Sequence, residues 1–217
     1  MSTLRLFPLR TVLFPGQTLS LQVFEERYRL LVSECLASGE PFGVALISEG
    51  HEVGGDAVPF DMGTTALIEN VAQMANGRLA VTARGIQRYR ATAYDHSQPY
   101  LSAEVEYPVD EATEPPDDLV EEIAERYRQL RRLRHTVEGT WVREVPVPDT
   151  PGGIADAIGG AAAGVVEARQ LQPLLEELDV RRRLERMGNL LTVVLEVAHR
   201  QARQAVAQRW GGPERSN

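Results

Sequence analysis

Leu4 to Val32 reads LRLFPLRTVLFPGQTLSLQVFEERYRLLV, and two periodicities meet inside it. From Thr18 to Val23, Leu19, Leu21 and Val23 alternate with Ser20 and Gln22, the period-two pattern of a strand with one buried face. At Phe24 the spacing changes. Phe24, Tyr28, Leu31, Val32 and Cys35 fall on one helical stripe, with Glu25 and Glu26 in the first turn and Gly39 as a stop. Upstream, Pro8 and Pro15 suit strand ends, Gly16 suits a turn, and Phe7, Leu13 and Phe14 read as core.

Working outward, Phe42 to Ile47 is a dense apolar run expected to be an interior strand. Leu79, Val81 and Ala83 alternate after a turn at Asn76-Gly77, and Leu101, Ala103, Val105 and Tyr107 alternate again. Strands at this spacing suggest a small barrel or sandwich. Ser48 to Asp61 is long and glycine-rich, and reads as a mobile loop. The segment 107–118, YPVDEATEPPDD, breaks both strand and helix. A boundary is placed there, dividing residues 1–110 from a helical part at 111–210. In the latter, Asp117 or Asp118 is expected to cap a helix carrying Leu119, Ile123, Tyr127, Leu130 and Leu133. Thr150-Pro151 opens a second helix, cut short by Gly159-Gly160. A long third helix begins near Asp179 and carries Leu184, Met187, Leu191, Val194, Leu195, Ala198 and Ala202. Residues 211–217 are expected to form a disordered tail. The fold class is therefore α+β, and no internal repeat suggests a solenoid.

Composition excludes several chemistries. The formal charge is −8 and all 23 basic residues are arginine. Without lysine the chain cannot build a P-loop, a Schiff-base site or a Ser-Lys protease dyad. Cys35, the single cysteine, lies on the apolar stripe and reads as core. The four histidines show no metal-ligand spacing. His51, Glu52 and Asp56 share the long loop and could be drawn as a metal or acid–base cluster, but a solvated loop is the simpler reading. The run RYRQLRRLR at 126–134 places Leu130 and Leu133 on the core stripe, so its arginines fall on a face shared with upstream glutamates. That reads as ion pairing rather than as a nucleic-acid patch, and the net charge repels phosphate. No apolar run reaches the ~20 residues of a membrane span, and residues 1–10 lack signal-peptide order. The expectation is a cytoplasmic protein with no membrane association, no cofactor and no metal.

The opening phrase resembles the start of the Lon N-terminal domain family, especially its free-standing bacterial members, which begin LPLFPL-x-x-VLFPG and continue L-x-L-x-IFE-x-RY. The matching residues are Phe7, Pro8, Leu9, Val12, Leu13, Phe14, Pro15, Gly16, Leu19, Leu21, Val23, Phe24, Glu25, Arg27 and Tyr28. Ser20 stands where the family often has proline, and Gln22 where many members are basic. Gly63-Thr64-Thr65-Ala66, Asn76-Gly77-Arg78-Leu79 and Gly85-Ile86-Gln87-Arg88-Tyr89 are similar to further family phrases, and Gln170 to Leu191 is similar to its helix pair. The resemblance implies a PUA-like β pseudo-barrel with one packed helix, followed by an all-α subdomain. It also implies a non-catalytic module that binds unfolded or client proteins and peptides, with a separate ATP-dependent protease as a possible partner.

On that reading Phe7, Leu9, Phe14, Phe24, Arg27, Tyr28, Arg84, Arg88 and Tyr89 are the candidate substrate-binding residues. The apolar members either belong to the core or line a groove where an extended chain adds to a strand edge. Glu25 or Glu26 is expected to pair with an arginine. Arg84, Arg88 and Arg90 alternate along one strand and form either a carboxylate- or phosphate-gripping row or a face balanced by the acidic 104–118 region. An RNA-associated protein using Arg84, Arg88, Arg126, Arg131 and Arg132 is the alternative.

Overall fold

The structure is a computed structural model that describes residues 2–54, 57–75, 77–111 and 113–210. Seven strands, β1 (Ser2–Leu9), β2 (Thr18–Val23), β3 (Phe42–Glu49), β4 (Val58–Pro59), β5 (Met62–Gln73), β6 (Leu79–Asp95) and β7 (Ser102–Glu106), form a mixed sheet. Helix α1 (Glu26–Ser38) interrupts the strands, and α2 (Asp117–Glu138), α3 (Pro151–Ala162), α4 (Ala168–Leu175) and α5 (Val180–Trp210) follow them. The hydrogen-bonded order runs β1-β7-β6-β5-β3, and a parallel β1–β3 ladder returns to the starting strand. The expected pseudo-barrel is thus a partial ring of strands.

One opening remains in it. The 17-residue β6 gives one edge to β5 and divides the other: Leu79 to Arg84 pairs with β2, and Arg90 to Asp95 with β7. β7 continues to β1 only at Ser2–Arg5. Beyond Arg5, β1 leans on β3 instead, with Leu6 to Leu9 opposite Gly43 to Leu46. A seam therefore separates the free edge of β2 from the upper part of β1.

Gly16 sets up this arrangement. Its φ of +78° lies in the left-handed region that side chains disfavour. Its N–H donates to the Gly85 carbonyl, while the Gly85 N–H donates to the Gln17 carbonyl, both at 2.8 Å. This is the bonding of a glycine-led bulge, with two residues opposite one. The bulge ends the Val12-to-Pro15 connection and starts β2 in register with β6.

The inward residues follow the periodicities. Val23, Val81, Ala83, Phe42 and Val44 share a core with Tyr28, Leu31, Val32 and Cys35 of α1. Phe24 does not. The helix starts at Glu26, after Glu25 as N-cap, so Phe24 stays in the connection and is 50% exposed. Ile123, Tyr127 and Leu130 of α2, Ile154 and Ile158 of α3, and Leu184, Met187 and Leu191 of α5 make a second core. It takes in Val12, Phe14, Leu46 and Met62 from the strand half.

Two helix ends differ from expectation. Neither Asp117 nor Asp118 caps α2. Pro116 occupies that position without a side-chain bond, and Asp118 Oδ1 accepts only from the neighbouring Leu119 N–H. Gly159-Gly160 does not stop α3, which continues to Ala162. The glycines make room: a Cβ on Gly159 would lie 2.7 Å from the Phe14 ring, and one on Gly160 would lie 3.2 Å from Gln17. Thr150 does cap α3 through its side-chain oxygen, which accepts from Gly153 N–H at 3.1 Å. Thr150→Ala is expected to cost about 1 kcal/mol, read as a lowered urea midpoint. At the far end of the bundle, Arg209 of α5 donates to the Thr136 and Val137 carbonyls at 2.7 and 2.6 Å. The Thr136 carbonyl also accepts from the Gly139 N–H at 3.3 Å, so Arg209 adds a second donor there and supplies one to Val137 at the end of α2. The segments at Asn76, Asp56 and 211–217 on which expectations were placed lie wholly or partly outside the described residues.

Candidate functional site

Four of the candidate residues meet at the seam. Phe7 and Leu9 of β1, Phe24 after β2 and Tyr28 of α1 line one cavity of about 270 Å³, with Ser20 to Val23, Glu25, Glu52 and Val53 completing it. Phe7 and Tyr28 stack with ring centroids 3.9 Å apart and planes 9° off parallel, which fixes the first turn of α1 against β1. Phe7, Leu9, Val23 and Tyr28 of the lining are buried, but the rim is not. Phe24 and Val53, at 50% and 58% exposure, are the apolar groups that face solvent there.

Arg27 stands beside the rim. Its guanidinium sits 4.4 Å from the Tyr28 ring centroid, 2.9 Å from Glu25 Oε2, and within 3.3 Å of the Glu52 carbonyl. The expected glutamate–arginine pair is therefore Glu25–Arg27, and it also holds the 50s loop over α1. A second recess, of about 410 Å³, lies on the other side of Glu25, Arg27 and Tyr28 and reaches Pro8, His96 and Tyr100. Burial pushes the Tyr28 phenol up to about 12, against the lowering effect of Arg27. The phenol is thus neutral throughout the physiological range. Burial likewise pushes the Cys35 thiol up to about 11, so Cys35 is an inert core group as its stripe position suggested.

The other candidates lie elsewhere. Phe14 is fully buried against α3, and Tyr89 is fully buried between β1 and β7 neighbours. Arg84 is surface-exposed and bonded to Glu69 at 2.5 Å. The strand alternation placed Arg88 beside it on one face, but the register between β5 and β6 shifts between Thr64↔Arg88 and Ala66↔Gly85. Ile86 stays on the exposed face with Arg84, as alternation gives, but Arg88 beyond the shift is buried, so the arginine row does not form.

Arg88 instead grips a carboxylate of its own chain. Its two terminal nitrogens reach Asp156 of α3 at 3.0 and 2.5 Å, and its Nε donates to the Leu175 carbonyl at 2.7 Å. Arg183 of α5 joins the cluster with its side chain at 0% exposure. It forks onto Asp110 at 2.7 and 2.5 Å and lies 3.6 Å from Asp156. Two guanidinium and two carboxylate groups therefore compensate each other between the strand ring and the bundle. Burial works to raise the Asp110 carboxyl, but the bonds and charge of Arg183 outweigh it and hold the group below the usual aspartate range. A sequence shows Arg88 and Asp156 only as 68 positions apart; no local pattern pairs them.

The remaining arginines of the RNA alternative are also engaged in part. Arg126 bonds Thr192 and approaches Glu122, and Arg132 approaches Glu125. Among the described residues no group of three or more His, Cys, Asp or Glu could hold a metal ion, and Asp56 of the loop cluster lies outside them. Among the same residues no helix is long and apolar enough to cross a membrane.

A partial strand ring joined through a shared core to a helical bundle, with an aromatic-lined recess at its seam, defines the class: an α+β module with an open sheet edge at β2. Comparison with known proteins gives the family. Residues 3–193 match the profile of the ATP-dependent protease La (LON) substrate-binding domain, and the chain belongs to that family. The chain is 30% identical over 203 residues to the Lon protease of Koribacter versatilis, covering 90% of this chain and 24% of that protein. It thus spans about a quarter of the length of such relatives. Among solved structures, a Lon N-terminal domain protein from Xanthomonas campestris aligns at a TM-score of 0.64 and 29% identity, covering 86% of this chain and 97% of that one. The N-terminal domain of the Mycobacterium avium complex Lon protease aligns at 0.65 and 22% identity, covering 88% and 98%, a likeness of fold.

Proposed function

We propose that the chain is a protein-binding module that holds unfolded or exposed apolar segments at the seam between β1 and β2, without cutting them. The observation that carries this reading is the meeting of Phe7, Leu9, Phe24 and Tyr28 around one recess whose rim exposes Phe24 and Val53. Solvent-facing apolar side chains beside a recess gain most from a partner that covers them. The family's substrate-binding role supports the same assignment. The absence of lysine from all 217 positions supports a non-catalytic role, because no Ser-Lys chemistry can be assembled from this chain alone. On this reading the module acts in the cytoplasm and passes clients to a separate ATP-dependent protease.

The test uses reduced, carboxymethylated α-lactalbumin as an unfolded client. Wild-type protein is expected to bind it by fluorescence anisotropy and to leave it intact on a gel. Phe24→Ser should weaken binding about fivefold, the equivalent of roughly 1 kcal/mol for half of a buried phenylalanine's contribution. Its unfolding midpoint should not move, since the side chain is not in the core. No binding by the wild type, or equal binding by Phe24→Ser and Val53→Ser variants, sinks the proposal.

A further inference from the structure

The geometry points to strand addition as the mode of capture: an extended segment, apolar at alternate positions and flanked by basic residues, pairs with the free edge of β2. This deepens the function proposed above and rests on it.

The backbone of β2 supplies the first part of the argument. In an antiparallel ladder, residues alternate between pointing both N–H and C=O at the partner and pointing both away. Gly85 directs both of its groups at the Gly16-Gln17 bulge. Counting back along β6 in steps of two, Ala83, Val81 and Leu79 also face β2, opposite Leu19, Leu21 and Val23. Thr18, Ser20 and Gln22 therefore turn their N–H and C=O groups away from β6, into the seam. Among the described residues β2 pairs with no strand but β6, so this edge is a template for one more strand.

The recess supplies the second part. Ser20 and Gln22, two of the three outward-pointing residues, line it together with Phe7 and Leu9 on the facing side. A strand laid along β2 sends every second side chain towards the interior, where Leu21 and the Phe7–Tyr28 stack form the floor. Apolar residues at that period fill it. The charged residues of the lining are Glu25 and Glu52, and no base is among them. Arg27, nearby, pairs with the Glu25 carboxylate but donates to the backbone carbonyl of Glu52 rather than to its carboxylate. Basic residues at the ends of the incoming segment match that rim.

The test combines peptide and protein changes. The probe is a fluorescein-labelled decapeptide alternating valine with threonine and carrying arginine at both ends. Two further versions are N-methylated at every second residue, in the two possible phases. One phase is expected to lose at least tenfold in affinity, because it removes the N–H groups that meet β2, and the other should bind as the parent does. Gln22→Pro removes an outward N–H while sparing the β2–β6 ladder, and should weaken binding at least fivefold with the unfolding midpoint retained. If that variant fails to fold, the methylation phases decide alone. Replacing the terminal arginines with glutamates should weaken binding severalfold at low salt.

Equal effects of the two phases, with lactalbumin still bound, overturn strand addition and leave the protein-binding reading standing. Failure to bind both lactalbumin and the decapeptide overturns both. A concentration-dependent dimer that competes with the decapeptide overturns the proposed occupant, since a second copy then covers the edge. Equal affinity of arginine- and glutamate-ended peptides overturns the assignment of basic flanks.

Discussion

Asp156→Ala is expected to cost about 3–5 kcal/mol of unfolding free energy, the usual penalty for breaking a buried ion pair from one side. The variant leaves Arg88, only 6% exposed, with the Leu175 carbonyl as its sole bonding partner in the cluster. It also takes from Arg183 the carboxylate 3.6 Å from its Nε, an atom that already lacks a hydrogen bond. Urea unfolding should show the loss as a lower midpoint with one transition, because the cluster and the shared core bind the strand ring to the bundle. The halves at 1–110 and 111–210 are on this view parts of one cooperative unit. Arg88→Met combined with Asp156→Leu should recover most of the loss, since an apolar pair of similar size avoids the desolvation of both charges. A cost below about 1 kcal/mol for Asp156→Ala, or two separated transitions in the wild type, contradicts this account.

Phe14→Ala is expected to be comparably damaging, at about 3–5 kcal/mol. Phe14 is fully buried and carries the strand half into the core formed by α2, α3 and α5. Its ring also determines what Gly159 is worth. In a helix interior, glycine-to-alanine normally gains about 1 kcal/mol. Here the new methyl would meet the ring at 2.7 Å, and overpacking of this kind costs about 1–3 kcal/mol. Gly159→Ala should therefore destabilise the wild type and stabilise the Phe14→Ala variant. A thermodynamic cycle over the four proteins measures the reversal. The same sign in both backgrounds would show that the ring moves aside freely.

These two positions mark where local reading of the sequence stops. The strand from Thr18 to Val23, the dense run from Phe42 and the helices beginning at Thr150-Pro151 and near Asp179 were legible, because each declares itself within a few residues. The stripe through Tyr28, Leu31, Val32 and Cys35 was legible too. It extended one turn too far to Phe24, since an exposed phenylalanine at a correct interval looks the same as a buried one. Gly159-Gly160 read as a helix stop because the side chains that need them, the Phe14 ring and Gln17, are about 145 positions away in sequence. The arginine row dissolved for a related reason: a register shift between β5 and β6 cannot be seen in β6 alone. Of the site, the residues Phe7, Leu9, Phe24, Arg27 and Tyr28 came from one contiguous phrase, and the structure gathers four of them at the seam with Arg27 beside its rim. Ser20 and Gln22 showed only as the polar half of the β2 alternation, and Glu52 as part of a long loop, so nothing local marked these three as lining of the recess.

The clasp of Arg209 on the end of α2 gives the bundle a direction in which it resists force. The last turn of the 31-residue α5 is tied sideways to the Thr136 and Val137 carbonyls. Traction applied at the C-terminal side of that helix is shared with its neighbour before it reaches Leu195 or Leu191 in the interior. Arg209→Ala would leave α5 to bear such a load alone, so that its terminal turns peel away at lower tension.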